Sequence, residues 1–138
     1  MSINKTLSLQ ADTQKLPLLL DTLDDVLSAV SCPEEARTQL AVAAEEIFVN
    51  IANYAYQASP EPGSATIRIQ ASSHEATITF ADSGFPYNPL EKQDPDIDKE
   101  AEDRPIGGLG VFLVKQMTDK VTYEYSDGLN ILTFTKKY

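Results

Sequence analysis

Three short segments of this sequence carry side chains with a use beyond packing. The first holds Glu46, Asn50 and Asn53, spaced i, i+4 and i+7. On a helix, at about 100° per residue, the three form one stripe. Ala36, Leu40, Ala43, Ala44, Ile47 and Ile51 cluster on the adjoining face and must pack on a core. A carboxylate and two amides at the border of a core are costly if buried without partners. The stripe should therefore meet a polar ligand, or a cavity with water or metal. Asn50 can offer its carbonyl oxygen to a hard cation such as Mg2+, which takes few protein ligands. Glu46, one turn earlier, can take a proton from a hydroxyl or a water. Taken alone, a solvated helix edge with an Asn–Asn network is the plainer account.

The second segment, Asp82-Ser83-Gly84-Phe85-Pro86-Tyr87, follows a strand pattern. An aspartate there can accept from an exocyclic amine, while the glycine lets a flat ring approach the backbone. In isolation Asp-x-Gly is only a turn. The third segment, Gly107-Gly108-Leu109-Gly110, opens an apolar helix. Backbone N–H groups at such a start hold phosphate, helped by the positive end of the helix dipole. No Lys-Ser/Thr pair follows, and no strand directly precedes, so neither a Walker A loop nor a dinucleotide fingerprint fits. Arg104, three residues before the glycines, can bring a guanidinium to a terminal phosphate, or can be a surface arginine in an acidic loop.

These segments need elements to hold them. Lys5 to Ala11 alternates as a strand, and Asp12 or Thr13 can cap a helix carrying Leu16, Leu19, Leu20, Leu23, Val26, Leu27 and Val30. Ser31-Cys32-Pro33-Glu34-Glu35 restarts a helix, with Ser31 or Cys32 at its cap, expected to run to about Tyr56. Thr66–Ala71 and Glu75–Asp82 alternate as strands, with His74 in the turn between them. A proline-rich, acidic stretch of about 90–105 reads as a lid. A helix to Met117 follows, then strands at Val121–Tyr125 and Ile131–Thr135 around the hairpin signal Asp127-Gly128. The order is that of an α+β protein with a mostly antiparallel sheet covered by helices on one face.

The 138 residues read as one domain, residues 1–138, and 42% hydrophobic content is enough for a core. A net charge of −10 argues against direct nucleic-acid binding, which rests on phosphate neutralisation. It suits a partner with a basic surface. Cys32 is the only cysteine, and no stretch resembles a membrane span or a signal peptide, so a cytoplasmic protein without membrane contact is expected.

The order and spacing of the segments resemble the nucleotide-binding boxes of the GHKL ATPases. Glu45-Glu46-Ile47-Phe48-Val49-Asn50-Ile51-Ala52-Asn53-Tyr54-Ala55-Tyr56 and Arg104-Pro105-Ile106-Gly107-Gly108-Leu109-Gly110-Val111-Phe112-Leu113-Val114 look specifically like the anti-sigma-factor serine/threonine kinases. The resemblance covers nearly the whole chain. It implies a Bergerat-type two-layer α/β sandwich, with a mostly antiparallel mixed sheet and an ATP lid. ATP and Mg2+ are the implied cofactors. Glu46 matches the catalytic base, Asn50 the Mg2+ ligand, Asp82 the adenine-reading aspartate, and Arg104 the arginine near the γ-phosphate. Nucleotide binding is then expected at Asn50, Asn53, Asp82, Gly84, Tyr87, Gly107, Gly108, Leu109, Gly110 and Val111. Two positions depart from the family pattern. Tyr54 stands where a histidine is frequent, and the last-strand threonine near adenine has only Asn130 or Thr133 as a counterpart.

The implied activity is phosphorylation of an anti-sigma-factor antagonist, with regulation of a sigma factor by partner switching, in a protein that forms a homodimer. A non-catalytic, nucleotide-gated module that sequesters a partner would have almost the same sequence. A histidine-kinase or gyrase-type ATPase is a third reading, which fits less well because His74 is not on a helix.

Overall fold

The computed structural model describes residues 2–57, 63–91 and 108–138. Strict alternation builds the sheet. In β2 (Ser64–Ser72), Ala65, Ile67, Ile69 and Ala71 are buried; in β3 (Glu75–Asp82), so are Ala76, Ile78, Phe80 and Asp82. Strand β5 (Leu129–Lys137) adds Asn130, Leu132 and Phe134 to the same face. Strands β1 (Ser2–Gln10) and β4 (Lys120–Ser126) form the edges, giving the order β1-β2-β3-β5-β4. β1 begins earlier than its alternation suggests, because Ser2, Ile3 and Asn4 continue the ladder against Ser72, Ala71 and Gln70.

Every pairing among the described residues is antiparallel, so the expected mixed character is absent. The reason is topological. Strands β3 and β4 point the same way, joined through helix α3 (Gly108–Met117). The hairpin at Asp127-Gly128 sends β5 back between them, so the two parallel strands never become neighbours. Asp127 and Gly128 both take positive φ, 54° and 79°, as that tight turn demands.

Helices α1 (Leu16–Ala29) and α2 (Glu34–Asn50) cover one face of the sheet. Leu19, Leu23 and Leu27 meet Leu40 and Phe48 in the core, over the stacked rings of Phe80 and Phe134, 6.0 Å apart. Each such fully buried side chain contributes about 1.5–3 kcal/mol. Asp12 accepts from the Gln14 amide at 2.9 Å and caps the short 3-10 turn that leads into α1. Ser31 does not cap α2. Its φ of 59° ends α1 instead, with the amides of Ser31 and Cys32 bonded back to Ser28 and Leu27. Pro33 takes the cap position of α2, and Glu34 and Glu35 fill the first turn, where acids favour the dipole. The opposite sheet face is half-exposed and rich in threonine, with hydroxyl pairs Thr77–Thr135 at 3.1 Å and Thr79–Thr133 at 3.3 Å. No helix among the described residues is long and apolar enough to cross a membrane.

One local departure bears on function. The α geometry of the second helix stops at Asn50, and Ile51–Ala55 forms a π-helical turn rather than a continuation to Tyr56. Such turns occur mostly as single insertions, frequently at functional sites.

Candidate functional site

The π turn is bolted to the end of β3. The Ala55 carbonyl accepts from the Phe85 amide at 2.8 Å. The Tyr56 hydroxyl donates to the carbonyl of Ser64, the first residue of β2, and accepts from the Ser83 amide at 3.0 Å. Gly84 lies against this joint. A Cβ there would fall well inside contact distance of the Ala55 carbonyl. The glycine is thus required by backbone meeting backbone, a reason distinct from the approach of a flat ring that its place in the sequence suggests. Gly63 is pressed in the same way against the Tyr56 ring.

Behind the joint, two buried polar residues face each other across the ladder: Asp82 on β3 and Asn130 on β5, 6% and 7% exposed. Oδ1 of Asp82 accepts from the Gly84 amide at 2.9 Å and from Nδ2 of Asn130 at 3.0 Å. Nδ2 of Asn130 also donates to the carbonyls of Phe85 at 3.0 Å and Gly84 at 3.4 Å. Oδ1 of Asn130 accepts from the Tyr87 amide at 3.1 Å and from the Tyr123 hydroxyl. Burial pushes the Tyr123 phenol above its ordinary value, with the nearby Asp82 adding to the effect. A buried aspartate held by two donors avoids the penalty of an unpaired polar group. Both donors fall on Oδ1, and neither reaches Oδ2.

In front of Asp82 opens a cavity of about 440 Å3. Asn50, Tyr54 and Ala55 wall one side, Phe85 and Tyr87 the mouth, and Val111 of α3 the far side. Phe85 is 71% exposed, and Tyr54 and Tyr87 are also open to solvent, so large rings stand around an entrance that no described residue fills. Apolar walls with a few fixed polar groups describe a small-molecule pocket. An aromatic heterocycle bearing an amine fits it: flat rings have rings to lie against, and Asp82 offers an acceptor. A Mg2+ ion fits less directly. Asn50 supplies one amide to the cavity, and a single protein ligand is within that ion's habits.

The structure gathers Asn50, Asp82, Tyr87 and Val111 around the cavity, with Gly84 behind the wall. Asn53 is exposed and lies outside the lining. The reason is the π turn: each residue there advances less around the axis, so the stripe expected from α geometry breaks after Asn50. Glu46 is half-buried one turn before Asn50, outside the cavity wall. Burial, and then the neighbouring charge of Glu45, pushes its carboxyl above the ordinary glutamate value. Gly108, Leu109 and Gly110 form the first turn of α3. Arg104, Gly107 and the lid of about 90–105, beyond its first residues at Leu90 and Glu91, lie outside the described residues.

Thr133 is removed as a candidate for the pocket. Its hydroxyl bonds Thr79 on the open face of the sheet, while Asn130 faces the cavity. Alternation contains that answer: if Leu132 and Phe134 point inward, Thr133 points out. The same rule turns Val121 and Tyr123 inward on β4, a signal that would have found Tyr123. Tyr56 had no comparable signal, because its partners are 8 and 27 residues away.

An antiparallel sheet with helices on one face, and a pocket between the second helix and the ends of the central strands, defines a two-layer α+β domain with a cavity at one end of the sheet. The family model described as "Histidine kinase-like ATPase domain" matches residues 9–136, and the chain belongs to that family. Among curated proteins it is similar to the serine/threonine-protein kinase BtrW of Bordetella bronchiseptica, 27% identical over 99 residues, which are 72% of this chain and 69% of that protein. It is also similar to the serine-protein kinase RsbW of Listeria monocytogenes, 27% identical over 131 residues, 92% of this chain and 83% of that one. Among solved structures, the RsbU and RsbW domains of Rv1364c from Mycobacterium tuberculosis superpose with a TM-score of 0.69 at 11% identity. That match takes in 97% of this chain but only 32% of the larger one, and at such identity it speaks for the fold alone.

Proposed function

We propose that this protein is a Mg-ATP-dependent serine/threonine kinase that phosphorylates an anti-sigma-factor antagonist and acts as an anti-sigma factor by partner switching. The observation that carries the reading is the buried Asp82, fixed through one oxygen at the back of a cavity walled by rings, with Asn50 on the adjoining helix. The names of the similar kinases support it. A cytoplasmic homodimer is part of the same reading.

Each residue has a definable task. Asp82 accepts from the amine of adenine and would repel the carbonyl that guanine presents in its place. Phe85, Tyr87 and Tyr54 supply ring surface to the base. Asn50 would hold Mg2+ through its amide oxygen, and the metal, when bound, neutralises phosphate charge. The first turn of α3 would present backbone N–H groups to phosphate, with Gly107 and Arg104 preceding it. Glu46 would take the proton from the incoming serine or threonine hydroxyl. Burial, and then Glu45 beside it, raise its pKa, which makes its carboxylate a stronger base than that of a free glutamate.

Calorimetry with ATP and GTP tests the pocket, and transfer of labelled γ-phosphate to a cognate antagonist tests the chemistry. Binding of ATP without transfer would support the sequestering module instead. Equal affinity for ATP and GTP would remove the adenine reading.

A further inference from the structure

We propose that Asn130 is a positioning residue that holds Asp82 and the 84–87 turn in the geometry that selects adenine, without itself contacting the nucleotide. The inference rests on the ATP reading and adds the residue that sets the pocket's polarity. It follows from counting partners. An asparagine side chain has two N–H donors and one carbonyl oxygen with two lone pairs. Here both lone pairs are used, by the Tyr87 amide and the Tyr123 hydroxyl. The amino group faces three acceptors: Asp82 Oδ1 and the carbonyls of Phe85 and Gly84. The Tyr87 amide can only donate and the three groups at the other end only accept, so the amide has one orientation, and a flip would break every contact except that with the Tyr123 hydroxyl. Nothing is left over for a base.

The consequence falls on Asp82. With Oδ1 held by Asn130 and by Gly84, the carboxylate cannot rotate, and Oδ2 is the oxygen left to read an amine. Asn130 also ties β5 to Gly84, Phe85 and Tyr87, so one side chain fixes both the acceptor and the aromatic mouth. Among the described residues, the ionisable groups around this point are Asp82, the Tyr123 and Tyr125 phenols of β4, and Glu91.

The test exchanges the donor for an ionisable group. Asn130→Asp keeps the acceptor toward Tyr87 and Tyr123 but sets a second carboxyl against Asp82. While that pair shares a proton, the introduced group can still donate to Oδ1; once both ionise, they repel. Calorimetry on the full chain should show Mg-ATP binding near that of wild type at about pH 6. By about pH 8.5 it should be roughly tenfold or more weaker, with wild type at each pH as the reference for the nucleotide's own ionisation. Affinity equal to wild type at both pH values overturns the proposal, and so does equal weakness at both, which marks a packing role.

If wild type binds no nucleotide, the ATP reading fails, and the positioning claim is read from melting. The melting temperature of Asn130→Asp, relative to wild type, should then fall between the two pH values, and a constant difference overturns it. Should that variant not fold, Asn130→Ser keeps one donor for Asp82 and loses the acceptor for Tyr87. Hydrogen exchange at the Tyr87 amide should speed up roughly tenfold or more. Unchanged exchange there overturns the proposal.

Discussion

At one end of β2 the Tyr56 hydroxyl donates to the carbonyl of Ser64; at the other, the Tyr138 hydroxyl donates to that of Ser72, at 2.6 Å. The fastening is the same, and the surroundings differ. Around Tyr138 the chain closes on itself. Its amide bonds the His74 carbonyl at 2.9 Å, and Cys32 is buried beside it with a thiol that burial pushes up. Burial, with Cys32 next to it, pushes the Tyr138 phenol up to about 12, so the phenol itself stays neutral there. Around Tyr56 the sheet ends in the buried Asp82 and Asn130, a cavity, and rings left in solvent. Tyrosine staples fasten both ends of the strand, and only the upper one also holds the turn that walls a pocket. Stability and function are therefore separable by position along one strand.

Substitutions can break or sharpen that contrast. The largest effect is expected at Glu46→Gln, which keeps shape but removes the base. Phosphate transfer should fall by roughly 10²–10⁴, the usual worth of general-base catalysis, with ATP affinity little changed by calorimetry. Full activity in this variant would place the base elsewhere, Glu45 being the nearest alternative. Next is Asp82→Asn, which can turn a donor toward the adenine amine. ATP affinity should drop about 10–100-fold, the worth of a hydrogen bond to a charged group. Gly84→Ala comes third: its methyl meets the Ala55 carbonyl, and denaturant unfolding should show a loss of about 1–3 kcal/mol.

The tyrosines give the smallest effects and the sharpest comparison. Tyr56→Phe and Tyr138→Phe should each cost about 1 kcal/mol of stability. Only Tyr56→Phe should also weaken ATP binding, because its hydroxyl holds the Ser83 amide beside Asp82. Equal effects on binding from both would abolish the distinction between the ends. Glu46 adds a pH term with a definite sign. A carboxyl raised in the folded state favours folding while it is protonated, and that contribution is lost as pH rises through its folded value. Melting temperatures should show Glu46→Gln gaining on wild type as pH climbs from the ordinary glutamate value near 4.5 toward neutrality.

Much of this was legible in the sequence, because period-2 alternation and the Asp127-Gly128 turn are local signals. They give β2, β3 and the β4–β5 hairpin, and they place Asp82 at a strand end facing inward. What stayed hidden depends on contacts between distant segments. Gly84 reads as a ligand-facing glycine until Ala55 is seen against it. The stripe through Asn53 assumes uniform α geometry, which the sequence gives no cause to doubt. Asn130 reads as a poor substitute for a threonine, although its five contacts span β3, the turn and β4.

The π turn at Ile51–Ala55 also bears on how this chain can change in length. A π turn closes its hydrogen bonds over five residues where an α turn uses four, so it accommodates one residue more than the helix needs. Shortening this stretch by one residue would let plain α geometry run on, a milder lesion to the backbone than a deletion inside α2. Because five residues of a π turn advance about as far around the axis as four of an α turn, the residues after the gap would keep their bearings. Tyr56 would stay within reach of Ser64 and Ser83, and the loss would fall on the one side chain removed from the turn. At this point in the chain, a single-residue gap would spare both the helix and its joint to the sheet.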